Sequence, residues 1–374
     1  MVTATPALLL DRAVLERNVT RMATHAASLG VALWPHVKTH KCAEIIRLQL
    51  AAGAAGVTVA TPAEAELARD VGARAVLVAH PPAAPERLER IVALAAGAVR
   101  VRVALDSEVV ALALDTACRR AGVSVGWLWE LDCGVARCGT APGAATARRV
   151  AALARRLRHA PFAGLLTFGG HVYAAGDAAG VAAAGRDERD ALARTADALE
   201  RLGVAVPVRS AGTTPTAWAL DKAAGITELR PGNYVFHDAT QVALGAAGWE
   251  DCALSVLATV VSRPDPHRLI LDAGSKALSA ERMSPLTSAL GTIPEHPGLE
   301  VARLFEEHAI VTSEQATDVP IGARLRIVPN HACAAANLHD RMVVQQAGAP
   351  AADWAVRARG WLSNPADRRD AHAA

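Results

Sequence analysis

Between residues 31 and 230, eight short apolar runs alternate with stretches of helical spacing, and this alternation constrains the fold more than any other feature of the chain. The runs are Val31–Trp34, Val57–Val59, Ala75–Ala79, Val99–Leu105, Trp127–Leu131, Ala163–Thr167, Val206–Ser210 and Ile226–Arg230. They are short and mostly apolar, as suits buried strands. Ala-, Leu- and Arg-rich segments at 63–72, 107–121, 144–158 and 187–202 supply helices between them. An earlier helix is capped by Asp11, carries Leu15, Val19, Met22, Ala26 and Leu29 at spacings of four and three, and stops at Gly30. Eight β/α units are the arithmetic of an α/β fold of the parallel (β/α)8, TIM-type barrel. An open doubly wound sheet fits the alternation almost as well, and counting does not separate the two. Beyond Gly245 the texture changes. Val256–Val261, Arg268–Leu271, Ala309–Thr312 and Arg324–Val328 read as strands joined by Pro- and Gly-containing turns. The expected organisation is a barrel over residues 6–245 and a mostly β second domain over 246–374, to which residues 1–5 are assigned.

The composition excludes several function classes. Lys plus Arg number 39 against 37 Asp plus Glu, too balanced for binding to phosphate backbones or anionic membranes. Aromatic residues are 3% of the chain, which leaves no stacking platform for nucleic acid. No stretch resembles a membrane span of about 20 strongly apolar residues. Six cysteines in 374 residues are not a disulfide framework, and the start has no basic region followed by an apolar core. The expectation is a soluble, cytoplasmic protein with reduced thiols and a small-molecule partner.

The residues suited to chemistry follow strand ends, where a parallel barrel builds its active site. After the first run comes Pro35-His36-Val37-Lys38-Thr39-His40-Lys41. A lysine there can form a Schiff base if its surroundings depress its pKa, and Lys41 with the two histidines could help; the plain alternative is a solvated basic loop. After the seventh run comes Ser210-Ala211-Gly212-Thr213-Thr214-Pro215-Thr216, and after the eighth Arg230-Pro231-Gly232-Asn233-Tyr234. Each could be an ordinary turn, but backbone N–H groups in such loops can cradle a phosphate, and barrels often bind phosphate there. Together with a lysine after strand one they suggest pyridoxal phosphate. His331 and Cys333, one residue apart on an extended strand, face the same side as a shared metal needs. Thiolate plus imidazole favours zinc, and an incomplete shell leaves positions open to substrate; the alternative is a buried histidine beside a core cysteine. Cys133 and Cys138, beside Gly134 and Gly139, read as packing.

Taken together, Pro-His-Val-Lys-Thr-His-Lys at 35–41, Val-Thr-Val-Ala-Thr-Pro-Ala-Glu-Ala-Glu at 57–66, Asp132 to Gly139, Gly-His-Val-Tyr at 170–173, the two phosphate-type loops, Asp-Ala-Gly-Ser-Lys-Ala-Leu-Ser at 272–279 and Pro-Asn-His-Ala-Cys at 329–333 resemble the D-serine dehydratase / D-threonine aldolase family. These are fold-type III pyridoxal-phosphate enzymes related to alanine racemase, and the match runs from about Thr5 to Arg341. The resemblance implies that Lys38, not Lys41, is the Schiff-base lysine. It places Arg137 near the cofactor's phenolic oxygen, Tyr173 by the cofactor, and His331 and Cys333 on a metal. It implies a homodimer acting on a D-3-hydroxy amino acid, with zinc at the 3-hydroxyl.

Two outcomes stand within the family: dehydration to a keto acid and ammonia, or aldol cleavage to glycine and an aldehyde. Cysteine as the second metal ligand resembles the dehydratase side, aspartate the aldolase side. A racemase would want a second base that is not identifiable here, and a non-catalytic cofactor carrier has no use for a metal pair. The chain departs from the family at Phe168 and Gly169, where relatives carry a histidine-alanine pair, at Val172 for serine, and at Ala334 for proline. These residues border the substrate, so the departures bear on substrate choice and on any acid/base role for His171.

Overall fold

The computed structural model describes residues 3–220, 225–346 and 352–360, so the ends of the expected second domain, 1–2 and 361–374, lie outside the described residues. The chain divides into two compact units. One comprises Met1–Met22, Tyr173–Gly180 and Asn233–Val356, and the other Ala23–Val172, Val181–Gly232 and Arg357–Ala374. The first strand, β1 (Ala7–Asp11), belongs to the former.

The latter unit holds the repeating pattern. Among the described residues it contains eight strands, β2 (Ala32–Leu33), β3 (Val57–Val59), β4 (Ala75–Val78), β5 (Arg100–Leu105), β6 (Gly126–Leu131), β7 (Phe162–Thr167), β8 (Val208–Ala211) and β9 (Glu228–Leu229). All pair in parallel in the order β2-β9-β8-β7-β6-β5-β4-β3. The two ends of this sheet meet through a parallel bridge between His36 and Thr58, supported by Thr58 N–H to the Pro35 carbonyl at 2.9 Å. That closure selects the barrel over the open sheet. Helices stand between the strands near their expected positions. The helix Ala178–Arg201 begins well before residue 187, because Ala178, Ala179 and Ala182 to Ala184 carry high helix propensity with little apolar period to read.

The barrel is filled from inside by Trp34, Ala75, Leu77, Ala104, Leu128 and Leu166, all buried. Alanines beside one tryptophan give the large-and-small packing that a tapering interior needs. Alternate residues of a strand share a face, so Arg102 lies on the same side as Ala104. Its guanidinium stacks 4.0 Å above the Trp34 ring and donates to Glu228 Oε1 at 2.7 Å. Both partners are buried.

The other unit is a sheet built around β1, together with β10 (Leu254–Asp265), β11 (Arg268–Leu271), β12 (Leu299–Leu304), β13 (Ala309–Ser313), β14 (Arg324–Ile327), β15 (Arg341–Gln345) and β16 (Ala352–Ala355). Its order is β12-β13-β11-β10-β1-β15-β16, with β14 also on β10. The sequence reading anticipated β10, β11, β13 and β14. It missed β12, where Glu300 and Arg303 break the apolar run, the short β15 and β16, and β1, which pairs with β10 antiparallel and β15 parallel far along the chain. No helix among the described residues is long and apolar enough to cross a membrane.

The Arg102–Glu228 pair yields a stability test. Glu228→Ala strands a buried guanidinium and should cost about 3–5 kcal/mol, whereas Arg102→Met combined with Glu228→Leu should recover most of it. Urea unfolding midpoints of the two variants report the difference; equal losses would deny that the pair is coupled.

Candidate active site

Because every barrel strand runs the same way, the loops after β2, β6, β7, β8 and β9 emerge at one rim. After β2 the chain makes a short 3-10 turn, Val37–Thr39, with Lys38 in it and His36 as its cap, the His36 ring nitrogen accepting the Lys38 N–H at 3.4 Å. His36 is buried, and burial, followed by the charges of Lys38, Arg230, His40 and Arg137, holds its pKa well below the ordinary range. Burial likewise lowers His40 to about 3, so neither histidine is a cation at neutral pH. Lys41, the rival lysine, has its ammonium 3.2 Å from the buried Glu64 carboxylate.

The loop after β6 is wound around Asp132, whose Oδ1 accepts the N–H groups of Gly134, Val135 and Ala136 at 2.9, 3.0 and 3.1 Å. Gly139 closes the loop at φ +102, where an added Cβ would lie 2.6 Å from the Asp132 nitrogen, and it donates to Asp106 at 2.8 Å. Arg137 reaches from this loop over the Phe168 ring at 4.3 Å and lies 3.6 Å from Glu130. Lys38 approaches the same ring at 5.8 Å. Phe168 is therefore a shared apolar surface beneath both cations. Cys133 has its thiol on the Phe168 carbonyl at 3.4 Å and a pKa pushed up to about 12, by burial first and then by Glu188 and Asp132. That is an inert thiol, in keeping with packing. Cys138 is raised as well, chiefly by burial.

His171 follows in the turn Gly170–Ala174. Its Nε2 lies 3.2 Å from Asp187, its ring lies where a Cβ at Gly134 would touch it at 3.4 Å, and its Nδ1 is buried without a partner. A carboxylate-oriented imidazole with one open nitrogen is the equipment of a proton carrier.

The loops after β8 and β9 are organised by two groups that sequence reasoning passed over. Glu188 is fully buried and collects Gly169 N–H at 3.0 Å, Gly212 N–H at 3.1 Å and the Thr216 hydroxyl at 2.6 Å. Thr213 caps the helix Thr214–Ala219, and its N–H goes to Thr216 Oγ1 at 2.9 Å, so the Gly212 and Thr213 amides are both engaged within the protein. The second group is Arg230, buried, which donates Nε to Ser210 Oγ at 2.8 Å and Nη2 to the Thr167 carbonyl. Ser210 keeps its own proton to donate. Gly232 packs against the lysine turn, where a Cβ would lie 2.8 Å from Thr39 Oγ1 and 3.1 Å from the His36 backbone oxygen. The loop after β9 is thus seated directly on the Lys38 turn. Glu188 sits amid surface-type helical sequence and gives no periodic signal, and Arg230, though it heads the loop after the last strand, shows nothing in the sequence of its inward, buried placement.

In the other unit, Tyr173 is half-buried and Asn233 and Tyr234 are buried in the turn Asn233–Val235. His331 and Cys333 are not on a strand, contrary to the sequence reading. His331 is the extended cap, φ −134, and Cys333 lies in the first turn of the helix Ala332–Leu338, whose alanines favour helix over strand. The two side chains are nonetheless within hydrogen-bonding reach of each other. Glu281 Oε2 holds His331 Nδ1 at 2.7 Å. Burial alone would lower the His331 pKa, but Cys333, Glu281 and the charge of Asp238 outweigh it and hold the group well above the ordinary range.

These donor sets fit the groups read from the sequence. A lysine on the turn that Gly232 packs against, at the same rim as buried Arg230 and Ser210, suits a phosphorylated aldehyde cofactor. An imidazole whose Nδ1 is fixed by a carboxylate, with a thiol beside it, suits a soft divalent metal, the carboxylate orienting the ligand. Among the described residues no three His, Cys, Asp or Glu side chains form a metal-sized cluster, so a metal here would have two protein ligands and open positions.

Comparison with known proteins places the chain in a family of pyridoxal-phosphate enzymes. Residues 10–240 match the family model for the N-terminal domain of alanine racemase, and residues 253–345 match that for a putative serine dehydratase domain. The D-threo-3-hydroxyaspartate dehydratase of Delftia sp. (strain HT23) is 35% identical over 348 residues, 88% of this chain and 91% of that one. The D-threonine aldolase of Arthrobacter sp is 35% identical over 367 residues, 96% of this chain and 93% of that one. A solved variant of D-threo-3-hydroxyaspartate dehydratase, with a cysteine replaced by alanine and in a metal-free form, superposes with a TM-score of 0.88 at 32% identity over 96% of this chain and 99% of that one. The chain belongs to the D-serine dehydratase / D-threonine aldolase family of fold-type III pyridoxal-phosphate enzymes, a family of lyases with an alanine racemase-type barrel.

Proposed function

We propose that this chain is a pyridoxal-phosphate- and zinc-dependent lyase that dehydrates D-3-hydroxy amino acids, in the manner of a D-serine ammonia-lyase. The observation that carries the reading is the His331–Cys333 pair with Glu281 behind the imidazole. Thiolate plus imidazole is a soft ligand set, and a two-ligand site leaves room for a substrate hydroxyl. The metal-free form of a related dehydratase that lacks a cysteine supports a thiolate ligand.

Pyridoxal phosphate, when bound, supplies an electron sink for the pair released as a Cα bond breaks. Lys38, Arg137, Ser210 and the Gly232–Asn233–Tyr234 loop would hold it, and Tyr173 would stand by its ring. His331 and Cys333 would hold the metal, whose Lewis acidity makes the 3-hydroxyl a better leaving group. The remaining work falls to side chains of the protein. Lys38 is assigned the Cα proton, and His171, oriented by Asp187, a second proton transfer. Loss of the Cα proton and the 3-hydroxyl removes water, and hydrolysis of the product enamine gives a keto acid and ammonia. Pairing of Lys41 with Glu64 supports Lys38 as the reactive amine. The alternative is aldol cleavage to glycine and an aldehyde, which the extended match to D-threonine aldolase keeps in view.

Borohydride treatment of the yellow holoenzyme should bleach it and leave the reduced adduct on Lys38, located by peptide mass mapping. A Lys38→Ala protein that still forms the adduct on Lys41 would overturn the assignment. Chelation should abolish ammonia release from D-3-hydroxyaspartate while leaving the cofactor spectrum in place. Cys333→Ser should weaken zinc binding by more than the roughly 10- to 100-fold typical of losing an outer partner, because oxygen replaces a soft thiolate. Full turnover in metal-free enzyme would remove the Lewis acid from the mechanism.

A further inference from the structure

The segment that carries His331 and Cys333 is fastened along its length by residues 238–240. Ala239 N–H donates to the Pro329 carbonyl at 3.1 Å, the Thr240 hydroxyl to the Asn330 carbonyl at 2.7 Å, and Ala332 N–H to Asp238 Oδ2 at 2.8 Å. Asp238 is fully buried. Its Oδ1 takes Gln241 N–H at 2.9 Å, and the same Oδ2 that holds Ala332 also accepts Asn233 Nδ2 at 2.5 Å. Asn233 opens the turn that follows the phosphate-type glycine, Gly232, and its own Oδ1 is buried without a partner, so its side chain is held through the amide nitrogen alone. One carboxylate oxygen therefore stands between the backbone linking His331 to Cys333 and the side chain of the phosphate-type loop. Only a carboxylate suits the position, because three donors converge on it and a carboxylate is acceptor-only.

We propose that Asp238 is a positioning residue that couples the two cofactor sites, fixing the metal-pair backbone and the Asn233 turn through one oxygen so that filling either site steadies the other. The inference rests on reading His331 and Cys333 as the metal pair and the Asn233 turn as a phosphate contact. Such coupling is reciprocal in binding free energy: if pyridoxal phosphate tightens zinc, zinc tightens pyridoxal phosphate by the same factor. Asp238→Asn keeps the shape but turns an N–H toward one of the converging donors. Asn233→Ala leaves the bond between Asp238 and Ala332 intact and cuts the link to the turn, together with any contact of that side chain with the cofactor.

The test is a zinc titration of metal-stripped full-length protein against a chromophoric chelator, with and without pyridoxal phosphate, beside the fraction of cofactor retained on dialysis. Wild-type protein should bind zinc more tightly when the cofactor is present. Asp238→Asn should lose about 10- to 100-fold in zinc affinity, the usual cost of removing an outer-shell partner, and retain less cofactor. Asn233→Ala, with an unchanged circular dichroism spectrum and its cofactor loading confirmed by absorbance at saturating pyridoxal phosphate, should abolish the dependence of zinc affinity on cofactor; should Asp238→Asn fail to fold, this loaded variant decides alone. Wild-type zinc affinity in Asp238→Asn, or full cofactor dependence in Asn233→Ala, would overturn the coupling. His331→Ala separates the failures: zinc binding undiminished in that variant would reject the metal-pair reading itself.

Discussion

The rim of the barrel depends on one buried charge. Arg230 leaves the last strand with its guanidinium enclosed, and a charge in that position is tolerable only where hydrogen bonds and counter-charges surround it. It joins the ends of β7 and β8 through the Thr167 carbonyl and the Ser210 hydroxyl, and it faces Glu188, Glu130 and Glu228. Each of these carboxylates governs a further part of the site. Glu228 balances Arg102 in the barrel interior, Glu130 lies beside Arg137, and Glu188 ties the loops after β7 and β8 together. The loops are thereby set by an interior network rather than left to their own preferences, which is how a catalytic constellation is kept in place.

That network also explains one of the departures from the family pattern. A side chain at residue 169 would place its Cβ 2.6 Å from the Glu188 carboxyl carbon, so glycine there and a carboxylate at 188 belong together. Phe168, in place of a histidine, gives Lys38 and Arg137 an aromatic face instead of another titrating ring. The Val172 side chain is fully buried, so it contributes shape and no hydrogen bond where a serine could offer one. Nothing in the structure explains Ala334.

The barrel was legible because its strands are short, mostly apolar runs between helices of ordinary period, a signal that survives in a chain as rich in alanine as this one. The motifs that carry Lys38, Arg137 and His331 stood out in the sequence. Their supports did not. Glu188 lies in a helix of charged surface-like sequence, Glu281 is fifty positions from the histidine it orients, and Asp238 acts through a backbone N–H nearly a hundred residues away. Long-range hydrogen bonds leave no spacing in the sequence. The placement of Cys333 on a helix rather than a strand shows the same limit at short range: an extended cap followed by one helical turn brings His331 and Cys333 together as a strand would, and residue spacing alone does not distinguish the two.

The bond that the site breaks is the most direct test of the account. Holoenzyme incubated separately with D-3-hydroxyaspartate, D-serine and D-threonine, with ammonia, keto acid, glycine and aldehyde each quantified, reports it without reference to any variant. The account predicts ammonia and keto acid in equal amounts from at least one of the three. Glycine with an aldehyde would contradict the dehydratase assignment, and racemised substrate with neither pair of products would contradict the lyase assignment altogether.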